Sequence, residues 1–78
     1  MNYIATFYSH FGAMHAKKLC DKAGIPARLM PVPRLLSSSC GTCVRMDAPD
    51  ADSIPITEET EQLALELTDG YKIIWTAE

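Results

Sequence analysis

The sequence predicts a small α+β domain, on the basis of three observations. Short runs rich in aromatic and β-branched residues alternate with two segments of helical spacing. These segments follow one another in the order β-α-β-β-α-β. The chain has only 78 residues, enough for one modest core, so residues 1–78 are expected to be a single domain. Together these observations favour a ferredoxin-like sandwich, in which two helices cover one face of a four-stranded antiparallel sheet.

The first half of the chain carries clear signals. Residues 3–8 are predicted to be the first strand because aromatic and β-branched side chains dominate them. Ser9 is a candidate N-cap for a helix over about residues 11–23, whose small apolar residues recur on one stripe. Gly24 is placed to end this helix. Cys20 falls on the apolar stripe and is therefore expected to pack in the core.

The second half is predicted to add two strands, a helix and a final strand. Residues 27–32 and 42–46 are the second and third strands, and the proline at position 31 favours a sheet edge for the former. Residues 57–67 are predicted to be the second helix, with a threonine as N-cap, and residues 71–76 the fourth strand. The positions that give the second helix its spacing are Ile56, Thr60, Leu63, Ala64 and Leu67.

Composition and charge exclude several classes of function. The formal net charge is −3 and no basic run occurs, so nucleic acid is not an expected partner. No apolar run approaches the roughly 18 residues that a membrane-spanning helix requires, so no membrane association is expected. The N-terminal residues lack the basic and apolar regions of a signal peptide, which favours a cytoplasmic location. In that reducing compartment, three cysteines point to chemistry or metal binding rather than to a disulfide scaffold.

The segment from residue 31 to residue 46 interrupts the regular pattern. Two prolines stiffen its beginning, and three serines and a glycine predict a flexible centre. Two of the three cysteines then follow in the run Cys40-Gly41-Thr42-Cys43. A stiff approach, a polar loop and a thiol pair are typical of a cysteine that is presented to solvent. We therefore expect Cys40 to be the functional thiol.

The predicted topology brings residues that are distant in sequence to one edge of the sheet, namely the edge formed by the ends of its strands rather than by an outer strand. The end of the first strand, the loop with Cys40 and the turn at Asp69-Gly70 are all expected at this edge. A thiol acts as a nucleophile in its thiolate form, which nearby positive charge favours. His10, Arg34 and the N-terminus of the first helix are the expected sources of that charge. Gly41 would allow a substrate or another backbone to approach closely.

The sequence leaves two roles open for Cys43. In an extended segment, the Cα atoms of Cys40 and Cys43 would be about 10 Å apart, which is too far for a disulfide bond. A turn between them would bring the thiols together, so Cys43 is either a resolving thiol or an inert strand residue. The two thiols also suit Cu(I), or Zn(II) shared across a homodimer, as an alternative to a protein without a cofactor. Tyr71 and Trp75, which alternate on the last strand, are expected in the core or at such a homodimer surface.

Several segments carry a resemblance to a known family. The most specific part is the run Pro31-Val32-Pro33-Arg34, followed by Ser38-Ser39-Cys40-Gly41. With these motifs, and over most of its length, the chain resembles the small selenium/sulfur carrier-like proteins. The resemblance implies that Cys40 bears the sulfur or selenium atom and that the partners are sulfur- or selenium-handling enzymes, such as a cysteine desulfurase. Cys43 departs from the single cysteine of the family pattern.

The leading hypothesis is a carrier or binding protein rather than an enzyme, in which Cys40 accepts sulfur as a persulfide. Its neighbours Ser39 and Gly41, together with His10 and Arg34, are the expected supporting residues. The alternatives are a soft-metal or zinc-binding module, a dithiol redox protein and a structural interaction domain. Ordinary reactivity at Cys40 would favour the last of these.

Overall fold

The computed structural model describes residues 1–77, which contain one α-helix and five β-strands. The elements in chain order are β1 (Asn2–Phe7), α1 (His10–Ala23), β2 (Ala27–Pro31), β3 (Thr42–Asp47), β4 (Thr60–Leu67) and β5 (Gly70–Thr76). A short 3-10 helix, Ala51–Ser53, lies between β3 and β4. Within the described residues, no helix has both the length and the apolar character needed to span a bilayer.

The five strands form one antiparallel sheet in the order β2-β3-β1-β4-β5. The central strand β1 pairs on one side with β3, where Tyr3 lies opposite Met46, and on the other with β4, where Tyr3 lies opposite Leu65. Because β3 separates β1 from β2, the first half of the chain has the split β-α-β arrangement that the sequence predicts. The position of β2 at a sheet edge is likewise as predicted.

The first helix follows its sequence signals closely. Ser9 has extended backbone angles, and its side chain accepts a hydrogen bond from the backbone N–H of Gly12, as an N-cap does. The helix ends at Gly24, which adopts a left-handed conformation with φ of 75°. Cys20 is buried, and its thiol lies 3.8 Å from the sulfur of Met46, so the predicted packing role is confirmed.

The predicted ferredoxin-like fold, with four strands and two helices, is wrong because the second helix does not exist. Residues 60–67 form β4, which pairs with β1 on one side and β5 on the other. Thr57 does use its hydroxyl as a cap, but it accepts the N–H of Glu59 within a tight turn that leads into a strand. The backbone of residues 60–67 gains partners on both sides as a strand, and this tertiary pairing overrides the helical spacing of the apolar residues.

Because residues 60–67 form a strand, the turn of the last hairpin lies at the opposite end of the sheet from the predicted one. Leu65 of β4 lies opposite Tyr3, near the beginning of β1, so β4 ends at the edge of the sheet away from the Cys40 loop. The turn at Asp69-Gly70 is therefore at the opposite end of the sheet from Cys40, and its predicted place beside the loop is wrong.

The sheet is covered differently on its two faces. Helix α1 covers β1, β2 and β3 on one face and forms a helix-side core, which includes Ala5, Phe7, Ala16, Val44, Met46 and Leu63. Ala48 and Ile54, from the segment around the 3-10 helix, join this core in place of a second helix. The other face carries a smaller far-side cluster of Ile4, Leu36, Cys43 and Ala64. Leu36 belongs to the β2–β3 loop, so that loop covers the face opposite the helix.

The two aromatic residues of β5 have different surroundings. Tyr71 is half-buried and packs against the far-side cluster. Trp75 lies opposite Leu63, and its side chain is 36 % exposed beside Ile54 and Ile74. Tyr71 thus contributes to packing, while Trp75 lies on an open sheet edge, and the homodimer remains a prediction.

Candidate functional site

The β2–β3 loop is a closed, folded segment. At its base, the backbone N–H of Val32 donates to the carbonyl of Gly41 at 3.1 Å. A turn follows in which the N–H of Leu36 donates to the carbonyl of Pro33 at 3.0 Å. This turn places the side chain of Leu36 in the far-side cluster, where it is 9 % exposed. The loop therefore starts on the face opposite the helix and returns to the sheet edge at Cys40.

The serines of the loop are tied to the sheet, although the sequence predicts a flexible centre. The carbonyl of Ser37 accepts a hydrogen bond from the side-chain amide of Gln62. The hydroxyl of Ser38 donates to the carbonyl of Phe7 at 3.3 Å. Ser39 donates its backbone N–H to a carboxylate oxygen of Glu61 at 3.1 Å and its hydroxyl to the other oxygen. Three successive residues before Cys40 are thus anchored to β1 and β4.

Cys40 lies where the loop meets the edge of the sheet. It is half-buried and packs against the helix-side core. Its backbone N–H donates to the hydroxyl of Ser38, and its thiol donates to the carbonyl of Thr42, both at 3.3 Å. Cys40 is thus the least buried of the three cysteines, and neighbouring residues hold both its backbone and its thiol.

His10 shares this edge, as the sequence predicts. It is the first residue of α1, it is exposed, and its Nδ1 lies 3.0 Å from the hydroxyl of Thr42. The same Thr42 offers its carbonyl to the Cys40 thiol. His10 is therefore linked to the thiol through one residue, and its hydrogen bond is made to Thr42 rather than to the sulfur.

The N-terminus of α1 is already occupied by a carboxylate. The carboxylate of Glu59 accepts a hydrogen bond from the hydroxyl of Ser9, the N-cap residue. A β-carbon on Gly12 would lie 2.5 Å from the β-carbon of Glu59, so this part of the helix closely approaches the turn before β4. The positive end of the helix dipole thus faces Glu59, whereas the sequence predicts that it acts on the Cys40 thiolate.

The other two predicted supporting residues have simpler surroundings. Arg34 is exposed in the turn of the β2–β3 loop, near the far-side cluster, whereas the hydrogen bonds of Cys40 are made to Ser38 and Thr42. Gly41 is exposed, and a β-carbon there would meet nothing within 4 Å. The space beside Cys40 that Gly41 leaves is open to another molecule.

Cys43 is placed quite differently from Cys40. Its side chain is fully buried in the far-side cluster, and its thiol donates to the carbonyl of Pro31 at 3.6 Å. Burial raises the pKa of the Cys43 thiol to about 11, and the neighbouring Cys40 adds to this increase. Cys43 is therefore protonated at neutral pH, and both cysteines are free thiols that contact different carbonyls.

Glu61 is the site residue that the sequence analysis misses. Thr6 pairs with Gln62 and Phe7 pairs with Thr60, so Glu61 is the extra residue of a bulge in β4. Its carboxylate accepts hydrogen bonds from both donors of Ser39 and from the hydroxyl of Thr6 at 3.2 Å. Partial burial raises the pKa of Glu61, but the hydrogen bonds from Ser39, Ser38 and Thr6 together outweigh this effect and hold the pKa below its ordinary value.

A metal site at Cys40 and Cys43 would need further ligands. Within residues 1–77, no group of three or more His, Cys, Asp or Glu side chains has the geometry to hold a metal ion. Cys40 packs against the helix-side core and Cys43 lies in the far-side cluster, so the two cysteines pack in different clusters. Zinc or copper binding by these two residues remains a prediction.

The fold and the site define a class of protein: a small α+β domain that presents one anchored, half-buried cysteine at the edge of its sheet. The chain belongs to the family described as "Putative Se/S carrier protein-like", whose model matches residues 2–69. The match covers nearly the whole chain, including the Cys40 loop, and confirms the resemblance seen in the sequence. Searches among curated proteins and among solved structures each found no match.

Proposed function

We propose that the protein carries a sulfur or selenium atom on Cys40 as a persulfide or its selenium analogue. The observation that supports this most directly is the contrast among the three cysteines. Cys20 and Cys43 are 1 % and 0 % exposed, while Cys40 is half-buried at the edge of the sheet. Since transfer requires contact between two sulfur atoms, Cys40 is the residue that a partner can reach.

The transfer step is a thiol exchange with no net oxidation. The Cys40 thiolate attacks the terminal sulfur of a persulfide on the donor protein, and a new S–S bond forms on Cys40. The S–S bond of the donor breaks, and the donor's cysteine leaves as a thiolate. The second half of the cycle is the same step in the other direction, in which an acceptor nucleophile takes the terminal sulfur and Cys40 returns to a thiolate.

Two features of the surroundings of Cys40 bear on this cycle. The hydroxyl of Ser38 accepts the backbone N–H of Cys40 and fixes its position, whereas the carbonyl of Thr42 accepts the proton of the resting thiol, a bond that is given up when the thiolate forms. His10 is linked to the same Thr42, and its protonated form would favour a sulfur anion at this edge. The role of His10 is thus to adjust the charge of the site.

The proposal includes the partners and the compartment. Enzymes that handle sulfur or selenium, such as a cysteine desulfurase, would dock over the open space beside Gly41 and deliver the atom to Cys40. The cytoplasm is the compartment in which three free thiols, including two buried ones, persist in the reduced state. No metal is required for the exchange itself.

The dithiol redox alternative is disfavoured by the state of Cys43. A resolving cysteine must be a thiolate that reaches its partner, whereas Cys43 is fully buried and has a pKa of about 11. It contacts the carbonyl of Pro31 on the face opposite α1. We propose that Cys43 fills the far-side cluster and takes no part in transfer.

The test is the loading of Cys40 by a cysteine desulfurase supplied with L-cysteine. Mass spectrometry of the intact protein should show an adduct of about 32 Da, the mass of one sulfur atom, that reducing agents remove. The adduct should be lost in Cys40→Ser and retained in Cys43→Ser, which is the matched control. Absence of an adduct on Cys40 of the wild-type protein, with both the desulfurase and inorganic polysulfide as donors, would overturn the proposal.

A further inference from the structure

We propose that Glu61 is the positioning residue for Cys40, because its carboxylate fixes the residue next to the thiol to the core of the sheet. This inference rests on the proposed carrier function and extends it to a residue two strands away. One oxygen of Glu61 accepts the backbone N–H of Ser39, and the other accepts the Ser39 hydroxyl. Ser39 directly precedes Cys40, so this pair of bonds sets where the thiol lies.

The bulge in β4 gives Glu61 the freedom to do this. As an extra residue between Thr60 and Gln62, it is not paired with β1, and its side chain reaches the edge of the sheet. The oxygen that accepts the N–H of Ser39 also accepts the hydroxyl of Thr6, whose side chain is fully buried. The carboxylate thus connects an immobile residue of the central strand with the loop.

The charge of Glu61 is satisfied by hydrogen bonds rather than by a cation. The ion pairs found among residues 1–77 join other groups, and Glu61 takes part in none of them. A carboxylate that accepts several hydrogen bonds from one loop holds that loop more firmly than a neutral side chain does, since bonds to an ionised acceptor are the stronger kind. The position of Cys40 is therefore coupled to one side chain of β4.

Positioning matters for the exchange step because the attacking sulfur must meet a donor persulfide in a defined orientation. A donor protein presents its persulfide from a fixed site, so displacement of Cys40 would lower the rate of sulfur transfer from that protein. A small polysulfide ion diffuses freely and approaches from any open direction. Release of Ser39 from Glu61 should therefore slow the loading of Cys40 by a protein donor and leave its loading by polysulfide unchanged.

Two substitutions separate position from charge. Glu61→Gln removes the charge, but its amide oxygen still accepts the N–H of Ser39, and its amide nitrogen donates to the Ser39 hydroxyl. Glu61→Ala removes both the charge and the hydrogen bonds. Glu58→Ala is the matched control, since Glu58 is an exposed carboxylate of the preceding turn.

The experiment measures loading of Cys40 by a cysteine desulfurase and, separately, by sodium polysulfide. Glu61→Ala should lower kcat/KM with the desulfurase at least tenfold and change the polysulfide rate by less than twofold. Glu61→Gln and Glu58→Ala should stay within about threefold of the wild type in both assays. Equal losses in Glu61→Ala and Glu61→Gln would assign the effect to charge and overturn the positioning role, as would wild-type loading of Glu61→Ala.

Hydrogen exchange distinguishes failure of this inference from failure of the carrier function. The amide of Ser39 should exchange at least tenfold faster in Glu61→Ala, with the amides of β1 unchanged as evidence of an intact fold. Unchanged exchange at Ser39 would overturn the inference even if the wild type loads sulfur. Faster exchange in a protein that never loads sulfur would reject the carrier function alone. If Glu61→Ala does not fold, Ser39→Ala replaces it in this experiment, since it removes only the hydrogen bond of the hydroxyl. The amide of residue 39 should then exchange faster than in the wild type, by a smaller factor than in Glu61→Ala.

Discussion

Leu36 of the β2–β3 loop and Cys43 of β3 share one buried cluster on the face of the sheet opposite the helix. Their relationship explains why the two cysteines of the Cys40-Gly41-Thr42-Cys43 run differ so strongly. The loop crosses the far side with Leu36 and returns at the sheet edge with Cys40, which packs toward the helix-side core. Cys43 is covered by the loop through Leu36, and Cys40 lies at the end of the loop.

Removal of the Leu36 side chain should expose Cys43. Leu36→Ala is expected to lower the free energy of unfolding by about 2–3 kcal/mol, because a 9 % exposed leucine leaves a cavity. It should also increase the alkylation rate of Cys43 at least tenfold, as followed by mass spectrometry of peptides. The adjacent Leu35 is 73 % exposed, so Leu35→Ala should change stability by less than about 0.5 kcal/mol.

Equal effects of the two leucine substitutions would contradict the way the loop lies on the sheet. In that case Leu36 would not cover Cys43, and the far-side cluster would have to be closed by other residues.

The three cysteines should differ in alkylation rate and in its dependence on pH. At pH 8 only about one in a thousand Cys43 side chains is a thiolate, given a pKa of about 11, and burial also raises the pKa of Cys20. Iodoacetamide should therefore label Cys40 at least a hundredfold faster than either. Because the pKa of Cys43 is raised, its labelling should increase about tenfold per pH unit between pH 8 and pH 10.

The denatured protein is the control for this experiment, since all three thiols should react at similar rates in 6 M guanidinium chloride. Faster labelling of Cys43 than of Cys40 in the native state would reverse the assignment of the carrier residue.

The first half of the fold was predictable because local signals and tertiary structure agree there. Ser9 and Gly24 mark the ends of α1 by capping chemistry, which depends on few residues. The shared edge of His10 and Cys40 follows from the split β-α-β topology, and the hydrogen bond between His10 and Thr42 places them together. Capping residues and chain topology are properties that one sequence can reveal.

The second half was not predictable because its local signals fit two structures. The spacing of Leu63, Ala64 and Leu67 matches a helical stripe, while in a strand the neighbours Leu63 and Ala64 lie on opposite faces of the sheet. Leu63 enters the helix-side core and Ala64 the far-side cluster, which requires a strand buried on both faces. That burial depends on the rest of the helix-side core and on the distant β2–β3 loop, so no short window around residue 63 contains the information.

Glu61 has no distinguishing signal in the sequence for a similar reason. As part of a predicted helix it was one of several acidic residues of a first turn. Its contacts with Thr6 and Ser39 span 55 and 22 positions in the sequence, and they exist only because β4 lies beside β1 with a bulge. The anchors of the loop serines are missed for the same reason, since they come from strands that the loop meets only in the folded protein.

The ion pair between Arg45 and Glu66 should contribute to stability above about pH 4. Arg45 donates two hydrogen bonds to Glu66, at 3.0 and 2.9 Å, and both side chains are about 30 % exposed. These bonds hold the pKa of Glu66 below its ordinary value, so folding favours the carboxylate. Glu66→Gln should lower the free energy of unfolding by about 1 kcal/mol at pH 7.

The difference between wild type and Glu66→Gln should vanish as the pH falls through the folded pKa of Glu66. Above the ordinary pKa the wild-type carboxylate is charged and paired, whereas in acid it is protonated and resembles the amide. Urea unfolding at pH 7 and pH 2.5 checks this, with Glu58→Gln as an exposed control that should have no effect at either pH. A constant difference between the two pH values would show that the hydrogen bonds, and not the charge, supply the stability.

Gly12→Ala should destabilise the protein even though alanine is the better helix former. The gain in helix propensity is about 1 kcal/mol. However, the new β-carbon would lie 2.5 Å from the β-carbon of Glu59, which is attached directly to the backbone and cannot rotate away. A net loss of about 1–3 kcal/mol is expected in urea unfolding. Gly41→Ala is the matched control, because its β-carbon meets nothing within 4 Å, and it should change stability by less than about 0.5 kcal/mol.

The background at position 59 identifies the cause of the Gly12→Ala effect. In Glu59→Ala the interfering β-carbon is still present, so Gly12→Ala should cost as much as in the wild type. In Glu59→Gly that β-carbon is gone, and the cost should fall to near zero or become a small gain. If Gly12→Ala stabilises the wild-type protein, α1 does not approach the turn before β4 as closely as described. The occupation of the helix N-terminus by Glu59 would then have to be abandoned, and the helix dipole would again be free to act on Cys40.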